Sequence, residues 1–218
     1  MSTKTEKTNI IVVKIGGSTL SSQDTTLHDL VTLREAGYTP VVVHGGGKTI
    51  SEWLERQGST AQFIRGLRVT DDKSLEVVLA VLTGLINKTL VSSLIGLGVK
   101  AIGISGIDGS LMEAKIENPE LGFVGRVTQV NPELLQSLID AGFMPIVAPV
   151  SISTTDEMTH KNKILNVNAD AAAGEIAVAL NAKRLIFLTD VEGVLDHSQN
   201  LIKTLNTEDA QHLITSGT

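Results

Sequence analysis

Two short stretches place glycine beside a group that can carry positive charge. Lys14-Ile15-Gly16-Gly17-Ser18 sets a lysine just ahead of two glycines, and His44-Gly45-Gly46-Gly47 sets three glycines behind a histidine. Without a Cβ, the backbone N–H groups of such a turn can approach an anion closely, and a lysine adds a mobile point charge. Where a helix begins at the turn, its unpaired amides and dipole add to the attraction. Either turn alone is an ordinary structural feature, but two at neighbouring strand ends, one carrying Lys14, point to phosphate or carboxylate binding. Three further segments hold candidate groups. Gly66-Leu67-Arg68-Val69-Thr70 contains an arginine, whose planar fork can grip a carboxylate. Asn166-Val167-Asn168-Ala169-Asp170 puts Asn and Asp at a helix start, where the same residues serve as caps. Thr189-Asp190-Val191-Glu192-Gly193-Val194-Leu195-Asp196 follows a strand, with carboxylates that could equally form a turn.

Several other chemistries are excluded. Gly47-Lys48-Thr49 has the ending of a G-x-x-x-x-G-K-[ST] loop, but the first glycine of that loop would fall on Val42, inside a strand-like run. No G-x-G-x-x-G follows a strand, so a dinucleotide fold lacks its fingerprint. His28, His44, His160, His197 and His212 show no metal-ligand spacing, and no protein-held metal is expected. His44 is read as structural, and Asp108, between Gly106 and Gly109, as a turn residue. With no cysteine in the chain, thiolate catalysis, Cys-held zinc and iron–sulfur clusters fall away. Aromatics make up 3% of the chain and the net charge is −6, a poor composition for binding nucleic acid. The N-terminal MSTKTEKT is polar, and the apolar run at 10–13 is too short for a signal peptide or membrane span. A cytoplasmic location is expected.

Elements must hold these groups in place. Residues 9–15 and 41–43 are β-branched runs that stop at glycines, the pattern of buried strands. Leu27, Leu30, Val31 and Leu33 recur at helical spacing before Gly37, and Ile50, Trp53 and Leu54 do so before Gly58. Residues 71–97 read as one long helix, apolar on more than one face, as expected of a helix buried in a core or against a second subunit. A short strand at 101–104 precedes the turn 105–109, and weaker strand signals at 111–116 and 123–129 suggest a hairpin. Asn131 with Pro132 should open a helix ending near Gly142. Residues 144–150 should form a strand, 151–163 a loop, 169–180 a helix capped by Asn168, 184–189 a strand, and 207–215 a last helix capped by Asn206. With 218 residues, 42% of them apolar, one large domain is expected. Strands alternating with helices imply a mainly parallel sheet covered on both faces, with ligands at the carboxyl ends of the strands.

Taken in order, K-I-G-G-S, H-G-G-G, G-L-R-V-T, N-V-N-A-D and T-D-V-E-G-V-L-D resemble the amino acid kinase family from residue 9 onward. The resemblance implies a three-layer αβα sandwich, with an acyl-amino-acid lobe over about 1–165 and the start of a nucleotide lobe over about 166–218. It implies transfer of the γ-phosphoryl group of ATP, with Mg2+ on the phosphates, to a side-chain carboxylate. N-acetyl-L-glutamate is the expected acceptor, with a carrier-linked aminoadipate or a silent metabolite-binding role as alternatives. By the same resemblance Lys14 should contact the transferred phosphoryl group and Asp170 should orient catalytic lysines. Gly46, Gly47, Arg68 and Asn166 should bind the acceptor, while Gly16, Gly17, Asp190, Gly193 and Leu195 should line the ATP site. Family members carry a second catalytic lysine beyond the point matching Ser216-Gly217-Thr218, so the nucleotide part is expected to be incomplete. The short N-terminus suggests a homodimer through helix 71–97 without the extra helix of arginine-inhibited members.

Overall fold

In chain order the elements are β1 (Ile10–Ile15), α1 (Thr26–Glu35), β2 (Thr39–His44), α2 (Gly47–Arg56), β3 (Phe63–Ile64) and β4 (Leu67–Arg68). Then come α3 (Asp72–Leu79), a π-helical stretch (Ala80–Ile86), α4 (Asn87–Gly96), β5 (Ala101–Ser105), β6 (Met112–Ile116), β7 (Val124–Val130) and α5 (Glu133–Asp140). β8 (Met144–Ala148), β9 (Val150–Ser153), β10 (Ile164–Val167), α6 (Ala169–Ala179), β11 (Arg184–Leu188) and α7 (Thr207–Ser216) complete the chain. The computed structural model describes residues 9–16, 25–153 and 164–216. Two compact units result, Met1–Leu188 and Thr189–Thr218.

The centre of the first unit is a wholly parallel sheet in the order β11-β1-β2-β8-β5. Alternation along β1 sorts its side chains between the two faces. Ile11, Val13 and Ile15 pack with Leu30 of α1, with Ile50 and Leu54 of α2, and with Val78 and Leu94 of the long helix. Ile10 and Val12 pack on the other side with Val41 and Val43 of β2 and with Ala172, Ala173 and Ile176 of α6. Helices on both faces of a parallel sheet make the expected three-layer sandwich. Each buried Val, Ile or Leu contributes about 1.5–3 kcal/mol relative to leaving it exposed, so these two clusters fix which way Lys14 and His44 point. Lys14 shares its parity with Ile10 and Val12 and faces α6. His44 shares its parity with Val42 and faces the long helix.

Some expectations need correction. The strand predicted over 144–150 is two strands, β8 and β9, because Pro149 lies between them and the chain changes sheets there. Residues 151–153, read as loop, belong to β9, and residues 154–163 lie outside the described residues. β10, unanticipated, pairs with both β9 and β7, and with β6 these strands close a four-stranded ring. The 71–97 helix is continuous over Asp72–Gly96, with Asp71 as its cap accepting from the Ser74 amide at 2.8 Å, but its middle winds as a π-helix. By length and composition this helix could cross a membrane, yet here it is a core helix, with Val78, Val81, Leu82 and Leu94 buried. Asn131 caps α5 as expected, its Oδ1 accepting from the Glu133 amide at 3.1 Å, with Pro132 already helical between them. The compact boundary falls after β11 because β11 is paired along its length with β1.

In the second unit the Asp196 carboxylate accepts from the amides of Ser198 and Asn200, both at 2.8 Å, and Leu195 bridges Leu201. Asn206 accepts from the Asp209 amide at 2.8 Å at the start of α7.

Candidate active site

Lys14 occupies the penultimate position of β1, where its ammonium reaches the first turn of α6 and pairs with Asp170 Oδ1 at 3.0 Å. Asn168 builds that turn by accepting from the amides of Asp170 and Ala171 at 2.8 and 3.1 Å, which leaves the Asp170 carboxylate free to point at Lys14. The lysine side chain is 15% exposed and the aspartate 53%. A pair this open adds little to stability. Its consequence is positional: it holds one cation at the carboxyl end of the sheet.

Across from this pair lies the glycine corner. α2 begins at Gly47, and its cap, Gly46, has no side chain to receive the first amides. A Cβ on Gly46 would stand 2.5 Å from Ile86 Cδ1 and 2.7 Å from Leu82 Cδ2, so any larger residue there would push these side-chain ends of the long helix aside. Arg68 comes in on a two-stranded hairpin, β3–β4, whose central residues Arg65 and Gly66 both have positive φ, 49° and 80°. That turn twists in the sense antiparallel strands require and puts Phe63 directly opposite Arg68. The Arg68 carbon Cζ sits 4.7 Å from the centre of the Phe63 ring. Its Nη2 donates to Gly47 O at 2.7 Å and to Ser51 Oγ at 2.9 Å, while the buried Nη1 has no partner. Burial lowers the Arg68 pKa from its ordinary value, but a guanidinium stays charged. Asn166 Nδ2 donates to Thr70 Oγ1 at 3.1 Å, and Thr70 Oγ1 donates in turn to Arg68 O at 3.1 Å.

Lys14, Gly45, Gly46, Gly47, Arg68, Asn166 and Asp170 all line one cleft of about 220 Å³, with Phe63, Leu67, Leu82, Val124 and Val167 supplying apolar wall. One end of the cleft thus offers a cation and the first amides of α2, and another a guanidinium. An anion bearing two carboxylates and an apolar spacer fits such an arrangement.

His44 is fully buried behind the glycines. Its Nδ1 lies 3.1 Å from Gly45 O and its Nε2 3.2 Å from Asn87 Nδ2, so Nδ1 carries the proton and Nε2 accepts. Burial lowers its pKa from 6.5 to about 4, with the nearby Lys88 charge acting in the same direction. A base with a depressed folded pKa binds fewer protons folded than unfolded between those two values, so stability rises with pH across that interval. Acidification from pH 6.5 to about 4 should cost on the order of 3 kcal/mol through this group. Urea unfolding of the wild type and His44→Asn over that range checks this, and parallel stability curves for the two proteins would refute it.

Of the other expected site residues, Gly16 has its amide donating to Leu188 O at 3.1 Å, closing β1 onto β11. Gly17 lies outside the described residues. Asp190, Gly193 and Leu195 belong to the second unit: Asp190 accepts from Thr189 Oγ1 at 3.4 Å, and Gly193 has a φ of 146°. The reading of single residues passed over Phe63, Ser51, Thr70 and Asn87. Phe63 and Arg68 were not pairable from sequence, because Arg-Gly is not among the dipeptides that signal a two-residue hairpin.

Comparison with known proteins agrees with this geometry. The sequence pattern of the amino acid kinase family matches residues 9–218. An acetylglutamate kinase of Dehalococcoides mccartyi is 44% identical over 210 residues, covering 96% of this chain and 77% of that one. An acetylglutamate kinase of Caldanaerobacter subterraneus subsp. tengcongensis is 45% identical over 215 residues, covering 95% and 70%. A crystal structure of smu.665 from Streptococcus mutans UA159 superposes with a TM-score of 0.83 at 30% identity, covering 96% of this chain and 83% of that one. This chain belongs to the amino acid kinase family.

Proposed function

We propose that this chain transfers the γ-phosphoryl group of ATP to the side-chain carboxylate of N-acetyl-L-glutamate, giving N-acetyl-L-glutamyl 5-phosphate for arginine biosynthesis. The observation that carries this reading is the single cleft that Lys14, held by Asp170 at 3.0 Å, lines together with the glycine corner and Arg68. The acetylglutamate kinases at 44–45% identity support the choice of acceptor. ATP supplies the phosphoryl donor, and Mg2+ carried on its phosphates neutralises part of their charge. Among the described residues no group of three or more His, Asp or Glu side chains could hold a metal ion.

The residues divide the work by charge. A carboxylate is already nucleophilic at neutral pH, so the site needs no general base; it must bring two anions together and stabilise spreading charge. Arg68, with Asn166 beside it, holds the α-carboxylate end of the acceptor. The amides of Gly46 and Gly47 hold the reacting carboxylate. Lys14, steered by Asp170, meets the charge that develops on the phosphoryl oxygens. Gly16, Gly17, Asp190, Gly193 and Leu195 are assigned to the nucleotide. We also place a homodimer contact on the long helix, where Leu85 and Ile95 are 43% and 56% exposed, and the enzyme in the cytoplasm.

An ATP-dependent hydroxamate assay tests the reaction directly, because hydroxylamine traps acyl phosphates. N-acetylglutamate should give hydroxamate well above glutamate, aspartate and a carrier-linked aminoadipate. Absence of an ATP-dependent signal with N-acetylglutamate would sink the proposal.

A further inference from the structure

We propose that Asn87 is a positioning residue for the glycine corner, acting through His44. This rests on the phosphoryl-transfer reading of the cleft and adds to it a residue that touches neither substrate. Asn87 is 1% exposed, on a helix otherwise buried through apolar groups. Its Nδ2 donates to Ile146 O at 2.9 Å, to His44 Nε2 at 3.2 Å and to Ile104 O at 3.3 Å. Its Oδ1 accepts from Lys88 Nζ at 3.1 Å, and the same ammonium donates to Gly103 O at 2.9 Å. One side chain therefore ties the long helix to the carboxyl ends of β2, β8 and β5. The approach is close enough that any Cβ on Gly103 would collide with Asn87 Oδ1.

The link to the site runs through the imidazole. Because Asn87 donates to Nε2, the ring proton must sit on Nδ1, where it is donated to Gly45 O. The Gly45 carbonyl belongs to the peptide plane that also carries the Gly46 amide, so holding the one orients the other. Gly45 N is fixed from the opposite side by Ile15 O at 2.9 Å, the residue next to Lys14. The π-helical stretch ends at Ile86, immediately before Asn87, and its Leu82 and Ile86 are the side chains against which Gly46 rests. A widened turn of this kind often marks a functional site. Here it brings an apolar seat for Gly46 and a polar brace for His44 onto the same face of one helix.

Lys88 on α4 is the charged group that acts on His44; β1, β5 and β8 contribute backbone carbonyls to the node. In Asn87→Ala, Nε2 and Ile146 O lose their donor, and the ring is held only through the Gly45 carbonyl at Nδ1. Turnover should fall about tenfold or more while the KM for N-acetylglutamate moves less than about threefold. Leu94→Ala, a truncation in the same helix and core but away from these hydrogen bonds, should keep wild-type turnover. Asn87→Asp replaces the donor by an acceptor-only carboxylate that favours the imidazolium. Its turnover should therefore fall as pH rises between about 6 and 8, relative to the wild type, as the ring loses the proton that joins it to the carboxylate. Wild-type turnover in Asn87→Ala, a loss confined to KM, or an Asn87→Asp profile superimposable on the wild type would each overturn the proposal. Nitrogen NMR of the His44 ring and amide exchange at residues 45–47 test the brace apart from the reaction. Asn87→Ala should shift the Nε2 resonance, which loses its donor, and speed exchange whether or not N-acetylglutamate is the acceptor. An unchanged ring and unchanged exchange would refute the brace, while a changed corner in a protein without acyl-phosphate activity would instead fault the functional reading.

Discussion

Lys14→Ala is expected to lower the turnover of N-acetylglutamate phosphorylation by roughly 10²–10³-fold, the usual consequence of removing one well-placed cation or donor from a preorganised site. The expectation follows from where the side chain stands. β1 is anchored by Ile11, Val13 and Ile15 on one face and by Ile10 and Val12 on the other, so Lys14 is carried to the sheet's carboxyl end whether or not it contributes to stability. Its ion pair with Asp170, half-open to solvent on the aspartate side, is worth at most about 1 kcal/mol to folding. The alanine variant should therefore unfold at nearly the wild-type denaturant concentration and bind N-acetylglutamate with little change. Only the step in which charge spreads over the phosphoryl oxygens should suffer. Steady-state kinetics on the purified, folded variant decides the matter, and turnover within a few-fold of wild type would remove Lys14 from its assigned role.

How much of this was legible in the sequence depends on what kind of signal each feature leaves. β1 and β2 are runs of Val and Ile ending at glycines, and a strand buried on both faces leaves that continuous trace. The Asn168 cap was legible because its chemistry is local, complete within three residues. β8 and β9 were not separable, since both are buried and the chain passes from one sheet to the other at Pro149 without a polar break. β3–β4 is two residues a side, too short for any periodicity to register. The π-helical stretch has the same apolar composition as the α-helix on either side of it, so its wider winding leaves no mark in residue type. Asn87 was visible in principle. It is a lone amide following the apolar stripe of Leu75, Val78, Leu82 and Ile86, and a polar group in such a place must find partners when buried. What no local pattern could supply was the identity of those partners, which come from residues 44, 104 and 146, brought together only by the sheet order.

Arg68→Ala should act mainly on binding, raising the KM for N-acetylglutamate by about 10–10²-fold, as loss of charge-assisted hydrogen bonds worth roughly 1.5–3 kcal/mol requires. Arg68 is 7% exposed, and its Nη2 is already engaged by Gly47 O and Ser51 Oγ. Nη1 is buried with no partner, an arrangement that costs free energy. Arg68 lines the cleft, so its charge favours an anionic ligand there. Phe63 against the guanidinium keeps the fork from swinging out before substrate binds, so little ordering remains to be done on association. Arg68→Lys should recover only part of the affinity, because an ammonium restores charge without the planar fork. Since Nη2 also holds the Gly47 carbonyl, the alanine variant should lose a few-fold in turnover as well, much less than Lys14→Ala. A KM unchanged in Arg68→Ala would mean that the acceptor's second carboxylate lies elsewhere, and full recovery in Arg68→Lys would mean that charge alone, not the planar guanidinium, selects it.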